Sequence, residues 1–249
     1  MNCLVLAAGY GSRLRDISDS KPLASVAGRP LIEHVIRTAA DVGARRFTIV
    51  TGHQAEAVED FTAALASRLG IELDCVRTPD WSLPNGHSVL AGAAVVEGDY
   101  LLLMGDHLFD AEIGRRLVAG ADRHAALTLA VDRNLDNPWL DLDDATRVET
   151  ATTGAIIRIG KQLEPFDAID TGIFLATPAL ARALRDAIGE NLGGSLSDGV
   201  QRLADEGRAG TVDVSGCSWL DVDDAAAFKR AQGFAALTES NDRAKLGSA

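Results

Sequence analysis

The sequence has little cysteine and little positive charge, and each shortage excludes something. Cys3, Cys75 and Cys217 are widely spaced and odd in number, so they form neither a disulfide framework nor a metal-ligand spacing, and a reducing cytoplasm is the expected home. Lys and Arg number 24 against 36 Asp and Glu, a formal net charge of −12. That balance argues against nucleic acid or an anionic membrane as the partner, since both call for basic patches. No apolar run approaches the ~20 residues of a membrane span, and the N-terminus has no charged stretch followed by a long apolar one, so no signal peptide is expected. Repeats, low-complexity segments and linkers are also missing. The expectation is one domain over residues 1–237 and a polar tail over 238–249. The sequence alone leaves the oligomeric state open, a homodimer included.

Several familiar motifs are absent too. Gly9 and Gly11 are not followed by the third glycine of a dinucleotide fingerprint, because that position is Leu14. No Gly-Lys-Ser/Thr completes a P-loop. No Ser-His-Asp order or His-x-x-x-His points to a hydrolase or a zinc site.

What is present begins at the front. Asn2 to Ala8 is an apolar strand running into Gly9-Tyr10-Gly11-Ser12-Arg13-Leu14, and Ser20-Lys21-Pro22-Leu23 follows. Glycine permits positive φ and close approach of a ligand to the backbone. Turn N–H groups form an anion-binding concavity, to which Arg13 and Lys21 add fixed charge. The stretch reads either as a polyphosphate loop or as a plain tight turn.

The rhythm behind it is strand and helix in alternation. Strands are expected at 2–8, 46–51, 71–76 and 100–104, and helices at 30–42, 55–69, 87–96 and 111–121. This pattern implies right-handed crossovers, a sheet covered on both faces, and ligands beyond the carboxyl ends of the strands. Gly9, Gly52 and Asp106 all fall at such ends. The second half changes character: a strand at 125–131, a hairpin of 147–150 with 155–160, a strand at 168–175, helices at 178–188 and 196–206, a strand at 210–214 and a last helix at 224–237. It is expected to build a β-rich substrate-side lobe on the same domain.

Six residues or groups of residues are candidates for chemistry. Asp106, after the run Leu101 to Met104, is a ligand type suited to Mg²⁺, which takes one or two carboxylates plus substrate phosphates; the alternative is a helix N-cap. Asp221 and Asp223 alternate with apolar residues and share one face of an extended segment. One or both can complete a metal site, Asp224 can start the last helix, or all three are caps or solvated acids. Lys161, at a strand end, is a phosphate-binding point charge or a surface lysine. Asp170-Thr171-Gly172 interrupts an apolar strand, and a buried acid needs a partner, either polyol hydroxyls or a neighbouring loop. Asn85-Gly86-His87-Ser88 can read the edge of a base or form a turn with an N-cap. His107 beside Asp106 invites an acid/base role, but transfer to an already anionic nucleophile needs positioning and charge more than a proton. His34 and His124 read as structural.

The residues Leu6-Ala7-Ala8-Gly9-Tyr10-Gly11-Ser12-Arg13-Leu14, Lys21-Pro22-Leu23 and Gly28-Arg29-Pro30-Leu31-Ile32 resemble the N-terminal motif of the sugar-phosphate nucleotidyltransferases. Met104-Gly105-Asp106-His107, Asp143 to Val148, Ile159-Gly160-Lys161, Asp167 to Phe174 and Trp219 to Asp223 narrow the resemblance to the CTP:inositol-1-phosphate cytidylyltransferases. It covers residues 1–235. It implies a Rossmann-like, GT-A-type α/β fold: a mixed, mostly parallel sheet with helices on both faces and a substrate-side β-rich insertion. The implied reaction is CTP plus a phosphorylated alcohol, inositol 1-phosphate first, giving CDP-inositol and pyrophosphate. The implied nucleotide site comprises Leu6, Ala8, Gly9, Gly11, Ser12, Arg13, Lys21, Gly52, Asn85, Gly86 and Ser88, with Arg13, Lys21 and Asp106 catalytic. Asp106 and Asp221 would bind Mg²⁺, with Asp223 in reserve, and Lys161, Asp170, Thr171 and Gly172 would face the acceptor. The sequence departs at Ser20, where many members have Pro. Some members carry a membrane-bound phosphotransferase domain on the same chain; without one, the expectation is a free enzyme that passes its product on. Phosphocholine and phosphonate cytidylyltransferases share the front motif and remain alternatives, as do a sugar-1-phosphate nucleotidyltransferase and a non-catalytic nucleotide-binding module.

Overall fold

Strand β1 (Asn2–Ala7) is apolar at every position from Cys3 onward, and the fold gives both of its faces something to bury. Leu4 and Leu6 point into one core, shared with residues of α3 (Asn85–Ala93), α5 (Ala179–Gly189) and α6 (Leu196–Asp205). Cys3, Val5 and Ala7 point into the other, shared with α1 (Leu31–Val42), α2 (Ala55–Leu69) and α4 (Ala111–Gly120). Period-two alternation with no polar face therefore encodes a central strand. Burying each of these leucines contributes roughly 2 kcal/mol. The computed structural model describes residues 1–138 and 140–234. The expected tail 238–249 and the end of the expected last helix lie outside the described residues.

β1 pairs in parallel with β4 (Arg46–Thr51) and β6 (Tyr100–Met104), and β4 pairs in parallel with β5 (Glu72–Arg77). The second half joins this sheet through β11 (Ala168–Ala176), which runs antiparallel to β6 and to β8 (Leu127–Asp132). β12 (Ala209–Asp213) adds to β8 in parallel, and the hairpin of β9 (Arg147–Thr150) and β10 (Ile156–Gly160) attaches to the start of β11. Only β10 and β11 run against the other strands of this nine-stranded sheet. It is thus mixed and mostly parallel, with helices on both faces, as the resemblance implied.

Two small elements escaped the sequence reading. β7 (His107–Phe109) and β13 (Trp219–Asp221) form a separate two-stranded ribbon that sets Asp221 opposite His107. The loop after β1 contains two 3-10 turns, Ser12–Leu14 and Lys21–Leu23, and a miniature hairpin of β2 (Ser25–Val26) and β3 (Arg29–Pro30). A third, smaller core clamps these parts together. Leu14 and Val26 from the loop meet Leu108, Leu220, Val222 and Phe234. The last of these belongs to a helix described over 225–234.

Candidate active site at the carboxyl edge of the sheet

The glycine turn is built around its lysine. Gly11 has φ of 62°, and a Cβ there would lie 2.5 Å from Cβ of Lys21. Glycine is needed both for the left-handed backbone and for the room that Lys21 occupies. Leu14, wholly buried in the small core, fixes the turn that carries Arg13. On the other side of that core Leu220 and Val222 are buried, so Asp221 and Asp223, which alternate with them, turn the other way, Asp223 onto Arg13 and Lys21 and Asp221 beside His107.

What results is an alternating lattice of charge. Lys21 Nζ donates to Asp106 Oδ2 at 2.6 Å and also to Asp223. Arg13 donates to Asp223 Oδ2 at 2.6 Å and to Asp144 Oδ2 at 2.7 Å. Asp144 accepts a further bond from Lys161. His107 Nδ1 lies 2.9 Å from Asp106 Oδ1 and 3.7 Å from Asp221 Oδ1. The residue after Asp106 in the chain thus brings a ring nitrogen back to it, and the helix that follows is capped by Asp110, not Asp106. The N-cap alternative for Asp106 is excluded. Asp224 accepts from the N–H of Ala227 and does cap the last helix.

Protonation follows this geometry. Burial works against the Lys21 ammonium, but Asp106, Asp221 and Asp223 overcome it and hold its pKa above the ordinary lysine value. Burial likewise opposes the Asp106 anion, yet Lys21 and His107 pull its pKa well below the carboxylate range. His107 is pushed up to about 9, because Asp221 and Asp106 outweigh its burial. That direction favours the protonated ring, which has no lone pair for a base's work. Burial and the neighbouring Asp106 and Asp223 raise the Asp221 pKa. Burial also raises Asp170 to about 6. For Asp144, hydrogen bonds from Lys161 and Arg13 overcome burial and bring it to about 2.

A divalent cation fits one corner of this lattice. Carboxylate oxygens of Asp106 and Asp221 lie within 4.8 Å of each other. Asp221 Oδ1 is buried with no hydrogen-bond partner, and an orphaned buried oxygen is a group an ion can satisfy. Asp223, expected in reserve for that ion, is instead the counter-ion of Arg13 and Lys21.

A cleft beside the lattice is lined by Arg13, Lys161, Asp170, Gly172, Asp221 and Asp223, among others. Here β11 is bulged: its register with β8 shifts between Asp170 and Phe174, and Gly172 has φ of 75°. Bulges of this kind re-aim side chains next to sites. Asp170 Oδ1 accepts from the N–H of Gly172 at 2.7 Å. A Cβ on Gly172 would lie 2.5 Å from the His107 ring, so this glycine makes room for the imidazole. Thr171 is corrected: it is fully buried and its hydroxyl donates to the carbonyl of Ala130, so it faces the sheet and not the cleft.

The expected nucleotide residues are only partly open. Leu6 and Ala8 are buried, and the Ala8 carbonyl accepts from His53 N at 3.0 Å. Gly9 has open space above it, and Ser12 begins the first 3-10 turn. Asn85 and Gly86 are the first residues of α3, which therefore starts before the expected residue 87, directly after Pro84. Asn85 Oδ1 accepts from Leu196 N, and a Cβ on Gly86 would lie 2.3 Å from the carbonyl of Gly194. The close approach that Gly86 permits here is to this chain's own backbone. Ser88 is buried. Gly52 likewise accommodates Trp81, whose Cβ would lie 2.7 Å from a Cβ there. Trp81 stacks on Tyr10 with ring centroids 5.6 Å apart, and His53 meets both edge-on. These three rings sit beyond the ends of β5, β1 and β4, and with Asp144 they are the site-edge residues that the sequence reading missed. Tyr10 stood between the motif glycines and Asp144 inside a quoted motif, so both were visible without a stated role.

Residues 3–197 match the model of the MobA-like NTP transferase domain. The chain is 37% identical over 223 residues to a bifunctional IPC transferase and DIPP synthase of Rubrobacter xylanophilus, covering 88% of this chain and 48% of that one. It is 30% identical over 231 residues to the protein of the same name from Thermococcus kodakarensis, covering 92% of this chain and 49% of that one. The chain thus spans about half the length of these curated relatives. Among solved structures, the inositol-1-phosphate CTP transferase from T. maritima superposes with a TM-score of 0.81 at 25% identity, over 91% of this chain and 90% of that one.

Proposed function

The chain belongs to the MobA-like NTP transferase family and is a nucleotidyltransferase of cytidylyltransferase type, and from that premise we propose that it condenses CTP with inositol 1-phosphate, giving CDP-inositol and pyrophosphate. The observation that carries this reading is the meeting of Arg13 and Lys21, on the glycine loop, with Asp106, Asp221 and Asp223 beside a cleft holding Lys161 and Asp170. The names borne by the relatives point to the same chemistry.

A phosphate oxygen of the acceptor attacks the α-phosphorus of CTP in line with the bond to the β-phosphate. That bond breaks, its electron pair leaves with pyrophosphate, and no covalent enzyme intermediate forms. Arg13 and Lys21 offset charge that builds on the α-phosphate and the leaving group. Both start from carboxylate partners, so they are charged and oriented before the nucleotide arrives. Lys161 takes the acceptor phosphate, and Asp170 accepts hydrogen bonds from its hydroxyls. Asp106 and Asp221 would hold Mg²⁺, which when bound neutralises phosphate charge and polarises the P–O bonds. His107, with Nδ1 2.9 Å from Asp106 Oδ1, keeps Asp106 in place.

The test is pyrophosphate release on mixing the protein with CTP, Mg²⁺ and inositol 1-phosphate, with phosphocholine, a phosphonate, sugar 1-phosphates and UTP in parallel. Inositol 1-phosphate with CTP should give the highest kcat/KM, and Asp106→Ala should abolish turnover. Preference for another acceptor, or a near-normal kcat in Asp106→Ala, contradicts the reading.

A further inference from the structure

Asp144 lies on the connection between β8 and β9, and its two carboxylate oxygens hold two cations that come from opposite sides of the site. Oδ2 accepts from Arg13 Nη1 at 2.7 Å and Oδ1 accepts from Lys161. Arg13 belongs to the glycine loop of the first half, and Lys161 follows β10 in the second. The connection has other ties of its own: Asp141 accepts from Asp143 N and its carbonyl from Ala145 N, and Arg147 reaches the carbonyl of Leu142. The side chain of Asp144 is therefore spent on the two cations and not on shaping its loop.

Two cations brought side by side repel. A shared carboxylate removes that repulsion and sets their separation to one carboxylate's width. Neither cation is used up. A guanidinium has five N–H donors and an ammonium three; Arg13 is engaged through Nη1 and Nη2, and Lys161 donates to Asp144. Each keeps donors for phosphate oxygens. The reaction proposed above needs two anionic phosphates at reacting distance, an orientation worth far more in rate than either contact alone. We propose that Asp144 is a positioning residue that fixes the spacing of the donor-side Arg13 and the acceptor-side Lys161, and so brings the two substrate phosphates together. The inference rests on the cytidylyltransferase reading.

The experiment uses Asp144→Asn, Lys161→Met and the double variant of the full chain. Pyrophosphate release is followed with CTP, Mg²⁺ and inositol 1-phosphate, CTP affinity is measured by calorimetry without acceptor, and Tm is recorded. Asp144→Asn should keep its Tm and hold CTP within about twofold of wild type, because Arg13 retains Asp223. Its kcat/KM for the acceptor should fall on the order of tenfold to a hundredfold. The double variant should lose much less than the product of the two single losses, since both act through Lys161. An Asp144→Asn protein with kcat/KM within about twofold of wild type, a multiplicative double loss, or a loss matched by a lower Tm overturns the inference alone. A wild-type protein that releases no pyrophosphate overturns the proposed function and this inference with it.

Discussion

Replacing Lys21 by Met keeps much of the side chain's length and apolar contact but removes the charge at the centre of the lattice. Lys21 is only 9% exposed and is bonded to both Asp106 and Asp223. Deleting one partner of a buried ion pair costs about 3–5 kcal/mol, because the other charge is left uncompensated. The low end applies here. Asp106 keeps His107, Asp223 keeps Arg13, and both carboxylates have some solvent. A loss of about 3 kcal/mol corresponds to a Tm lower by roughly 6–12 °C in a chain of this size. The pH dependence has a definite sign. In the wild type the Asp106 pKa is depressed, against its burial, by Lys21 and then by His107. A depressed folded-state pKa contributes stability above the ordinary carboxylate value of 3.8, lost as pH falls. In Lys21→Met most of that contribution is gone, and the crowded acids take up protons at higher pH in the folded state. The stability gap to wild type should therefore be widest near neutral pH, narrow as the acids of the variant take up protons, and close only as the pH falls well below 3.8 toward the depressed folded-state value of Asp106. Urea unfolding at a series of pH values measures it. A difference under about 0.5 kcal/mol at neutral pH, the size of an ordinary surface change, or a gap that stays constant with pH, refutes this account of the site. Turnover should fall by orders of magnitude in the same protein.

Other consequences follow from single residues. Gly172→Ala adds a Cβ 2.5 Å from the His107 ring at a φ of 75°; left-handed strain and overpacking together should cost about 2–4 kcal/mol in urea unfolding and lower kcat, and a variant as stable and active as wild type would show that the bulge does not hold His107. Glu33 is buried on α1, and its pKa is lowered because bonds from Arg37 and Arg68 outweigh its burial. Glu33→Gln should cost about 1 kcal/mol at pH 7, allowing for the exposed arginines. That cost should vanish as pH falls below the ordinary value of 4.5; equal stabilities at pH 7 would sink it.

The sheet was legible because its signals are long. β1, β4, β6 and β11 are apolar runs that buried strands require, and the helices between them repeat apolar residues at helical spacing. Site residues at strand ends were legible for the same reason: Gly9, Gly52 and Asp106 follow a run that stops. The ribbon of β7 and β13 was not, since three residues carry no period. Its pairing was needed to see that Asp221, not Asp223, comes beside Asp106 and His107. Thr171 misled because a polar residue in an apolar strand can satisfy itself on the next strand, here at the carbonyl of Ala130. Gly86 was ambiguous because a glycine signals a close neighbour without saying whether it is a ligand or the chain itself, here the carbonyl of Gly194.

The small core of Leu14, Val26, Leu108, Leu220, Val222 and Phe234 joins residues some two hundred positions apart. During synthesis, which delivers the N-terminal parts first, a nascent chain that has emerged as far as β12 already has all nine strands of its main sheet. It has Lys21 beside Asp106 but neither Asp221 nor Asp223, and the loop bearing Arg13 lacks half of the apolar surface that seats it. The end of the molecule that carries the glycine loop is the last region that can take its final form. Local opening of that same core, with the sheet intact, would undo the site without unfolding the protein.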